Sequence, residues 1–380
     1  IKQVKNLEGP IVIHVITQKG KGYPFAEEDA FKYHGVTPFE PLDGKFLKKK
    51  TSGQAKSFSK VFGDKMDELM ARDKNVVVLT AAMLSGTGIV NLQPKFPDRV
   101  LDVGIAEGHA VTCSAGLATA GIKPFVAIYS TFLQRALDHI IHDVAVQKLP
   151  VRFMIDRAGF VGADGPTHHG IFDLTYLRMI PNMTIMAPRN GSEFCSMIEF
   201  AYKHETGPIA IRYPRGNSNE LDDKKIPPIE IGKAQTLRKG QNVVFFAVGA
   251  MVDKAEEVAD ILEKQGFFAS VINARFVKPL DEDLIVNMGK EFKLLVTIEE
   301  NTVQGGFGSG VLEILSKNRI FIPTLQIGAP DCFISQGSQE EQLNKAELDV
   351  EHIFKRVLEH LPEVEKITRK KITVKQKKRA

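Results

Sequence analysis

Between Pro150 and Gly170 the chain reads PVRFMIDRAGFVGADGPTHHG. Asp156, Arg157, Asp164 and the adjacent pair His168 and His169 stand there among four glycines and a proline. Carboxylates and imidazoles move protons, and guanidinium binds phosphate or carboxylate bidentately, so this mixture suits chemistry on a small anion. A solvated turn would need only one or two of the glycines. Other groups of the same kind recur: Glu107 after a short apolar run, Tyr129, Arg135 and Asp138 farther on, and Arg212 and Arg215 around Tyr213 and Pro214. Taken singly, each has a plainer explanation. Glu107 in a first helical turn is favoured by the backbone dipole alone, by about 0.3 to 1 kcal/mol, and its local sequence leaves that reading and a catalytic one level. An arginine at a strand end is commonly a surface ion-pair partner, so the argument rests on clustering. In Gln18-Lys19-Gly20-Lys21-Gly22 after the strand, a lysine between glycines suits an anion only weakly, and His34 is an isolated loop histidine.

The elements that must bring these groups together follow from periodicity. Residues 151–155 read as a buried strand breaking at Asp156, and residues 11–17 as a central parallel strand, β-branched throughout. From Ser57 a helix-strand alternation begins. It places strands at 76–80, 100–103, 124–129, 184–187 and 209–213, with helices at 110–120, 131–147, 173–179 and 193–204. Beyond a polar, proline-bearing stretch at 216–228, a second and smaller unit follows, with strands at 243–248, 269–273, 294–299 and 323–327. Such an order predicts two α/β domains, the first doubly wound around a mostly parallel sheet. In such sheets ligands bind beyond the carboxyl ends of the strands, which is where most of the candidate groups fall. Residues 25–59 look irregular. The glycines at 305–310 open a helix and do not follow the dinucleotide-binding order.

The 380 residues include 43% hydrophobic ones, enough for sizeable cores. A formal charge of +4 turns negative once the eight basic residues of 366–380 are set aside, so a nucleic-acid face is not expected. Three cysteines without metal-type spacing fit reduced thiols, and no apolar run is long enough for a membrane span. The sequence opens without methionine and reads as an internal piece of a longer chain.

With these readings in place, the segment Asp102 to Thr112 (DVGIAEGHAVT) resembles the thiamine-diphosphate enzymes of the transketolase group. YSTFLQR at Tyr129 to Arg135, DRAGFVGADGPTH at Asp156 to His168, and RYPRG at Arg212 to Gly216 narrow the resemblance to the 1-deoxy-D-xylulose-5-phosphate synthase family. It covers nearly the whole chain apart from the basic tail. The resemblance implies a division into the end of a diphosphate-binding domain (1–43), a linker (44–56), a pyrimidine-binding domain (57–221), a transketolase C-terminal-like domain (228–362) and a tail (363–380). It implies thiamine diphosphate with Mg2+, the magnesium ligands lying outside this sequence. The activity implied is condensation of pyruvate with D-glyceraldehyde 3-phosphate to 1-deoxy-D-xylulose 5-phosphate and CO2, the first step of the non-mevalonate isoprenoid route, which also feeds thiamine and pyridoxal synthesis.

Carried over residue by residue, Glu107 would hydrogen-bond the aminopyrimidine and favour its imino tautomer, Phe132 would stack on that ring, and Lys19 would touch the diphosphate. Tyr129, Arg135, Arg157 and Arg215 would line the substrate pocket, Asp164 and His168 would position substrate and move protons, and His34 would lie near the reacting carbon. His169 and Arg212 receive no role, and no residue is assigned to metal. A homodimer in a bacterial cytoplasm or a plastid is implied. The alternatives are a transketolase, the β subunit of a 2-oxo-acid dehydrogenase, or a non-catalytic piece that needs a separate first domain.

Overall fold

The computed structural model describes residues 1–30, 32–36, 38–47, 55–218 and 226–361. The basic tail and the Lys48 to Lys50 cluster lie outside them. Two compact units are present, Ile1–Gln54 and Ala55–Ala380.

In the first unit a short helix, Pro24–Glu28, adjoins a knot of rings. Tyr23, Phe25, Tyr33, Phe39 and Phe46 pack with centroids 5.3 to 5.7 Å apart, and the Tyr33 hydroxyl donates to the Gly44 carbonyl at 2.6 Å. The described residues among 25–47 are therefore more ordered than their composition predicts. The expected strand at 11–17 does not form, and Val12 and Ile16 are 94% and 86% exposed. β-Branched residues favour an extended backbone, but a strand exists only where another supplies hydrogen-bonding partners. No described residue of this unit pairs with that segment.

The second unit holds two sheets. The larger has seven strands in the order β10-β5-β6-β4-β3-β1-β2. They are β1 (Val76–Thr80), β2 (Val100–Asp102), β3 (Lys123–Tyr129), β4 (Arg152–Ala158), β5 (Thr184–Met186), β6 (Ile209–Pro214) and, from much later in the chain, β10 (Phe276–Lys278). All neighbours run parallel except β10, which closes the edge against β5 antiparallel. The smaller has five strands in the order β12-β11-β8-β9-β7. These are β7 (Gln235–Arg238), β8 (Val243–Ala247), β9 (Ala269–Asn273), β11 (Leu295–Thr302) and β12 (Thr324–Ala329). Only its edge strand β7 is antiparallel.

The central strands β1, β3, β8 and β9 are almost wholly buried, as parallel strands covered by helices on both faces must be. Helix Phe58–Arg72 covers one face with Phe62, Met66 and Leu69 fully buried, and its Ser57 side chain accepts from the Lys60 N–H as an N-cap. On the other face lies helix Glu107–Thr119, so rich in alanine and glycine that its neighbour comes very close: a Cβ on Gly108 would sit 2.6 Å from the His139 ring.

Two expectations change here. β4 does not break at Asp156 but continues through Asp156 and Arg157 to Ala158, because Tyr129 of β3 still pairs with Asp156. The single helix expected at 131–147 is divided into Ser130–Leu133, a tight turn at Gln134–Ala136, Leu137–His139 and a wide π turn at Ile140–Ala145. No proline or glycine marks those breaks, and the close approach of helix Glu107–Thr119 is what the segment bends around.

Candidate active site

Register fixes which side chains meet. Tyr129 pairs with Asp156 across β3 and β4, Ile155 with Arg212 and Ala158 with Pro214 across β4 and β6, and Thr80 with Asp102 across β1 and β2. Since these strands are parallel, their carboxyl ends share one rim of the sheet. Every candidate group of the second unit is attached at that rim or to the segment immediately after it.

Glu107 is the first residue of its helix, and its side chain is only 4% exposed. Its one recorded side-chain partner is Arg135, whose Nη1 stands 3.3 Å from Oε1 and whose own side chain is 61% exposed. A buried carboxylate with so light a complement of donors has acceptor capacity left for a ligand. Arg135 also lies over the Phe132 ring, 5.6 Å from its centroid. Phe132 in turn stacks on Tyr129 at 5.8 Å and meets the His168 ring edge-on at 5.2 Å. Arg157 lies over Tyr129 at 4.4 Å. One continuous path of contacts thus joins Glu107, Arg135, Phe132, Tyr129, His168 and Arg157.

Arg157 is held firmly. Its Nη1 donates to Asp156, to the Ser59 hydroxyl and to the Gly86 carbonyl at 2.7 to 2.9 Å. Its backbone adopts φ +61°, a left-handed conformation uncommon outside glycine. Burial opposes its charge, but Asp156 outweighs that and raises its pKa above the usual guanidinium value. Burial pushes Asp156 up, against the Arg157 charge that pulls it down. Tyr129 is also raised, first by burial. Gly86 has to be glycine for this arrangement, since an added Cβ would fall 1.6 Å from the Tyr129 hydroxyl oxygen.

Beyond β4, Asp164 is exposed and forms an ion pair with Arg215 at 2.5 Å. The same Arg215 nitrogen donates to the Val161 carbonyl at 2.8 Å. His168 is half-buried, with its Nδ1 2.9 Å from the Thr167 hydroxyl. The rim therefore presents three arginines, a tyrosine hydroxyl, a histidine and two carboxylates around stacked rings. It can seat a flat heterocycle beside Phe132 and an anion beside the arginines.

Not every residue in the sequence cluster joins this group. His169 is 2% exposed, accepts the Val161 N–H at 3.3 Å and contacts the Ile334 carbonyl at 3.0 Å, and burial lowers its pKa. Arg212 is likewise enclosed, paired to Asp173 at 2.8 Å and donating to the Gly170 and Glu300 carbonyls. Both belonged to the cluster expected from the sequence, and both are instead engaged by the surrounding fold. Asp138 lies exposed on its short helix. Lys19 and His34 belong to the first unit, where both are exposed in turns.

Residues missed in the sequence include Ser59 and Gly86, which brace Arg157, and a polar group at the end of β11. There Glu299 caps helix Phe307–Lys317 through the Phe307 and Gly308 N–H groups at 2.7 and 2.8 Å. Glu300 accepts the Phe160 N–H at 2.7 Å. Burial pushes both carboxyls up to about 7. The available signal was Glu299-Glu300-Asn301 placed directly after an apolar strand. A groove lined by Lys65, Cys195, Glu199 and residues 226–229 lies away from the rim and gathers none of these groups.

Comparison with known proteins agrees with this geometry. Residues 54–220 match the transketolase pyrimidine binding domain and residues 232–353 the transketolase C-terminal domain. The 1-deoxy-D-xylulose-5-phosphate synthase of Caldanaerobacter subterraneus subsp. tengcongensis is 45% identical over 96% of this chain and 58% of that protein. That of Thermosynechococcus vestitus is 49% identical over 90% of this chain and 53% of that protein. The chain thus spans little more than half the length of these curated relatives. A solved split-gene transketolase, described as an inactive β4 tetramer, superposes with a TM-score of 0.72 at 31% identity, covering 81% of this chain and 98% of that one. Transketolase from Campylobacter jejuni shares the fold at a TM-score of 0.67 and 20% identity, over 82% of this chain and 48% of its own. The chain belongs to the transketolase family, in the branch of the 1-deoxy-D-xylulose-5-phosphate synthases, and carries that family's pyrimidine-binding and C-terminal domains.

Proposed function

We propose that this chain forms the pyrimidine-binding and substrate-facing part of a 1-deoxy-D-xylulose-5-phosphate synthase, a transferase joining pyruvate to D-glyceraldehyde 3-phosphate with loss of CO2. The observation that carries the proposal is the contact path from buried Glu107 through Arg135 and Phe132 to Tyr129, Arg157 and His168. A carboxyl group with uncommitted oxygens beside an apolar ring is what an aminopyrimidine needs, a stacking face and a group that gives the ring nitrogen a proton and takes it back, so these residues fit thiamine diphosphate. When bound, that cofactor supplies a carbon nucleophile and an electron sink for decarboxylation.

In this reading Glu107 holds the proton at the pyrimidine ring nitrogen, and Phe132 supports the ring. Arg157, fixed by Asp156 and Ser59, and Arg215, fixed by Val161 and Asp164, bind the carboxylate and phosphate of the substrates. Arg135 shields the entry between Glu107 and solvent. His168 and Asp164 orient the aldehyde oxygen and exchange protons with it. Lys19 and His34 are assigned to the diphosphate and the reacting carbon respectively. Magnesium accompanies the diphosphate. Among the described residues no three metal-ligating side chains converge, so we assign it no ligand here. A homodimer is the expected assembly, and a reducing cytoplasm or plastid suits three cysteines outside any disulfide. Among the described residues no helix is long and apolar enough to cross a membrane.

Calorimetric titration with thiamine diphosphate and magnesium tests the reading. Binding should be detected with the parent chain, or with that chain joined by a diphosphate-binding domain, and should weaken at least about tenfold in Glu107→Ala. Unchanged affinity in the variant would refute the assignment of Glu107. CO2 release from pyruvate should depend on D-glyceraldehyde 3-phosphate, and preference for a ketose phosphate donor would favour transketolase instead.

A further inference from the structure

Segment 159–170 grows out of β4, yet several of its backbone groups are fastened by the other domain. Glu300, at the end of β11, accepts the Phe160 N–H at 2.7 Å. Gln342, fully buried on helix Gln339–Lys345, accepts the Gly162 N–H at 2.7 Å through Oε1 and donates to the Gly162 carbonyl at 2.8 Å through Nε2. One side-chain amide thus satisfies both backbone groups of one residue, as a neighbouring strand would. Gln339 from the same helix donates to the Phe160 carbonyl at 3.0 Å. Between these two anchored residues lies Val161, whose carbonyl receives Arg215, and just beyond them stands Asp164, the partner of that arginine.

We infer that Gln342 and Glu300 are positioning residues of the active site: by locking Gly162 and Phe160 they set where Arg215, Asp164 and His168 stand, so the C-terminal domain controls substrate affinity. The inference rests on the function proposed above. It assigns the second domain a part in binding, beyond supporting the first. A gap of even an ångström in the segment would separate Arg215 from the Val161 carbonyl and release Asp164 from its place, which weakens anion binding more than the proton chemistry at Glu107. From the same strand Asn301 accepts the Leu174 N–H at 3.2 Å, a few residues past the segment.

The test pairs hydrogen exchange with kinetics on the full chain, assembled with its cofactor. Gln342→Met keeps the side-chain volume and removes the bonds to Gly162. Amides at 160–165 should then exchange about tenfold to a hundredfold faster while those of β8 and β9 stay as they were. KM for D-glyceraldehyde 3-phosphate should rise about tenfold with kcat within about threefold. Glu300→Ala should act in the same direction, and Glu300→Gln, which keeps an acceptor for Phe160, should restore the parent KM. Should Gln342→Met unfold, Gln339→Ala, at a half-buried position, should raise local exchange and KM by about twofold to fivefold. Unchanged exchange at 160–165, or faster exchange with an unchanged KM, would overturn the inference. A parent enzyme that fails to release CO2 from pyruvate with the aldehyde phosphate would count against the functional reading instead.

Discussion

Strand β4 carries Asp156 and Arg157 out of one sheet toward a segment whose Asp164 is exposed and whose His168 is half-buried. Strand β11 carries Glu299, Glu300 and Asn301 out of the other sheet into nearly complete burial, at 1%, 4% and 0% exposure. Both are parallel strands followed by glycine-rich turns, and both end in acids. The difference lies in what the carboxylates face. Those of β11 accept backbone N–H groups from a helix start and from segment 159–170, so their hydrogen-bonding capacity is committed to the fold. On the β4 side a rim remains open, and Arg157, Arg215 and Asp164 retain donors and acceptors that a substrate can use. Polar residues at a strand end become a site only where the chain leaves them a cleft.

The largest effect is expected where that comparison assigns proton chemistry. Glu107→Gln should lower kcat for CO2 release by about 10²- to 10⁴-fold while leaving the melting temperature nearly unchanged. A loss confined to stability would make Glu107 a residue of the β11 kind. Next, Gly86→Ala should push the Tyr129 hydroxyl out of place and disturb Arg157, destabilising the chain by about 1 to 3 kcal/mol and raising KM for pyruvate. A functional variant with unaltered KM would detach Tyr129 from the pocket.

The buried acids of β11 give a pH signature. Their folded pKa of about 7 lies above the usual 4.5, so the folded state binds protons more readily than the unfolded one. Their contribution is therefore complete below about 4.5 and is lost as pH rises through about 7, up to roughly 1 to 3 kcal/mol for each group. Facing Glu300 are Arg212 and Lys254, which lower its pKa, and Asp173, which raises it. Glu300→Gln should then melt higher than the parent at pH 8 and alike at pH 5, by differential scanning calorimetry. Equal melting at both pH values would mean that Glu300 is solvated as the exposed Asp164 is. The smallest effect concerns helix Gln339–Lys345, where Ser338 and Glu341 form a capping box. Ser338→Ala should cost about 1 kcal/mol in urea unfolding and, through Gln342, shift KM less than twofold.

Much of this was legible before any coordinates. β1 and β9 fall on the predicted residues, and most helices and strands begin and end within a few residues of expectation, because periodic burial writes itself into the apolar pattern. The motif residues Glu107, Tyr129, Phe132, Arg135, Arg157, Asp164, His168 and Arg215 are brought to one rim, as parallel topology requires. Helix Pro24–Glu28, β7, β10, and the helices Gln339–Lys345 and Val350–His360 were not anticipated. β10 is three residues long and pairs across domains, so no local pattern marks it. Helix Gln339–Lys345 is short and polar, and its purpose is to carry two glutamines to another domain.

The sequence by itself determined the α/β alternation, the hydrophobic strands and the identity of the chemical groups, since these depend on residue types and their spacing along the chain. Tertiary structure alone decided which of those groups stay accessible at the rim. His169 and Arg212 share composition and neighbourhood with His168 and Arg215, yet one pair is enclosed by β11 and Ile334 while the other stands at the rim. It also decided that the strand expected at 11–17 remains unpaired within its unit and that the helix expected at 131–147 is broken. Pairing, burial and close helix approach depend on partners distant in the chain, and no local pattern contains them.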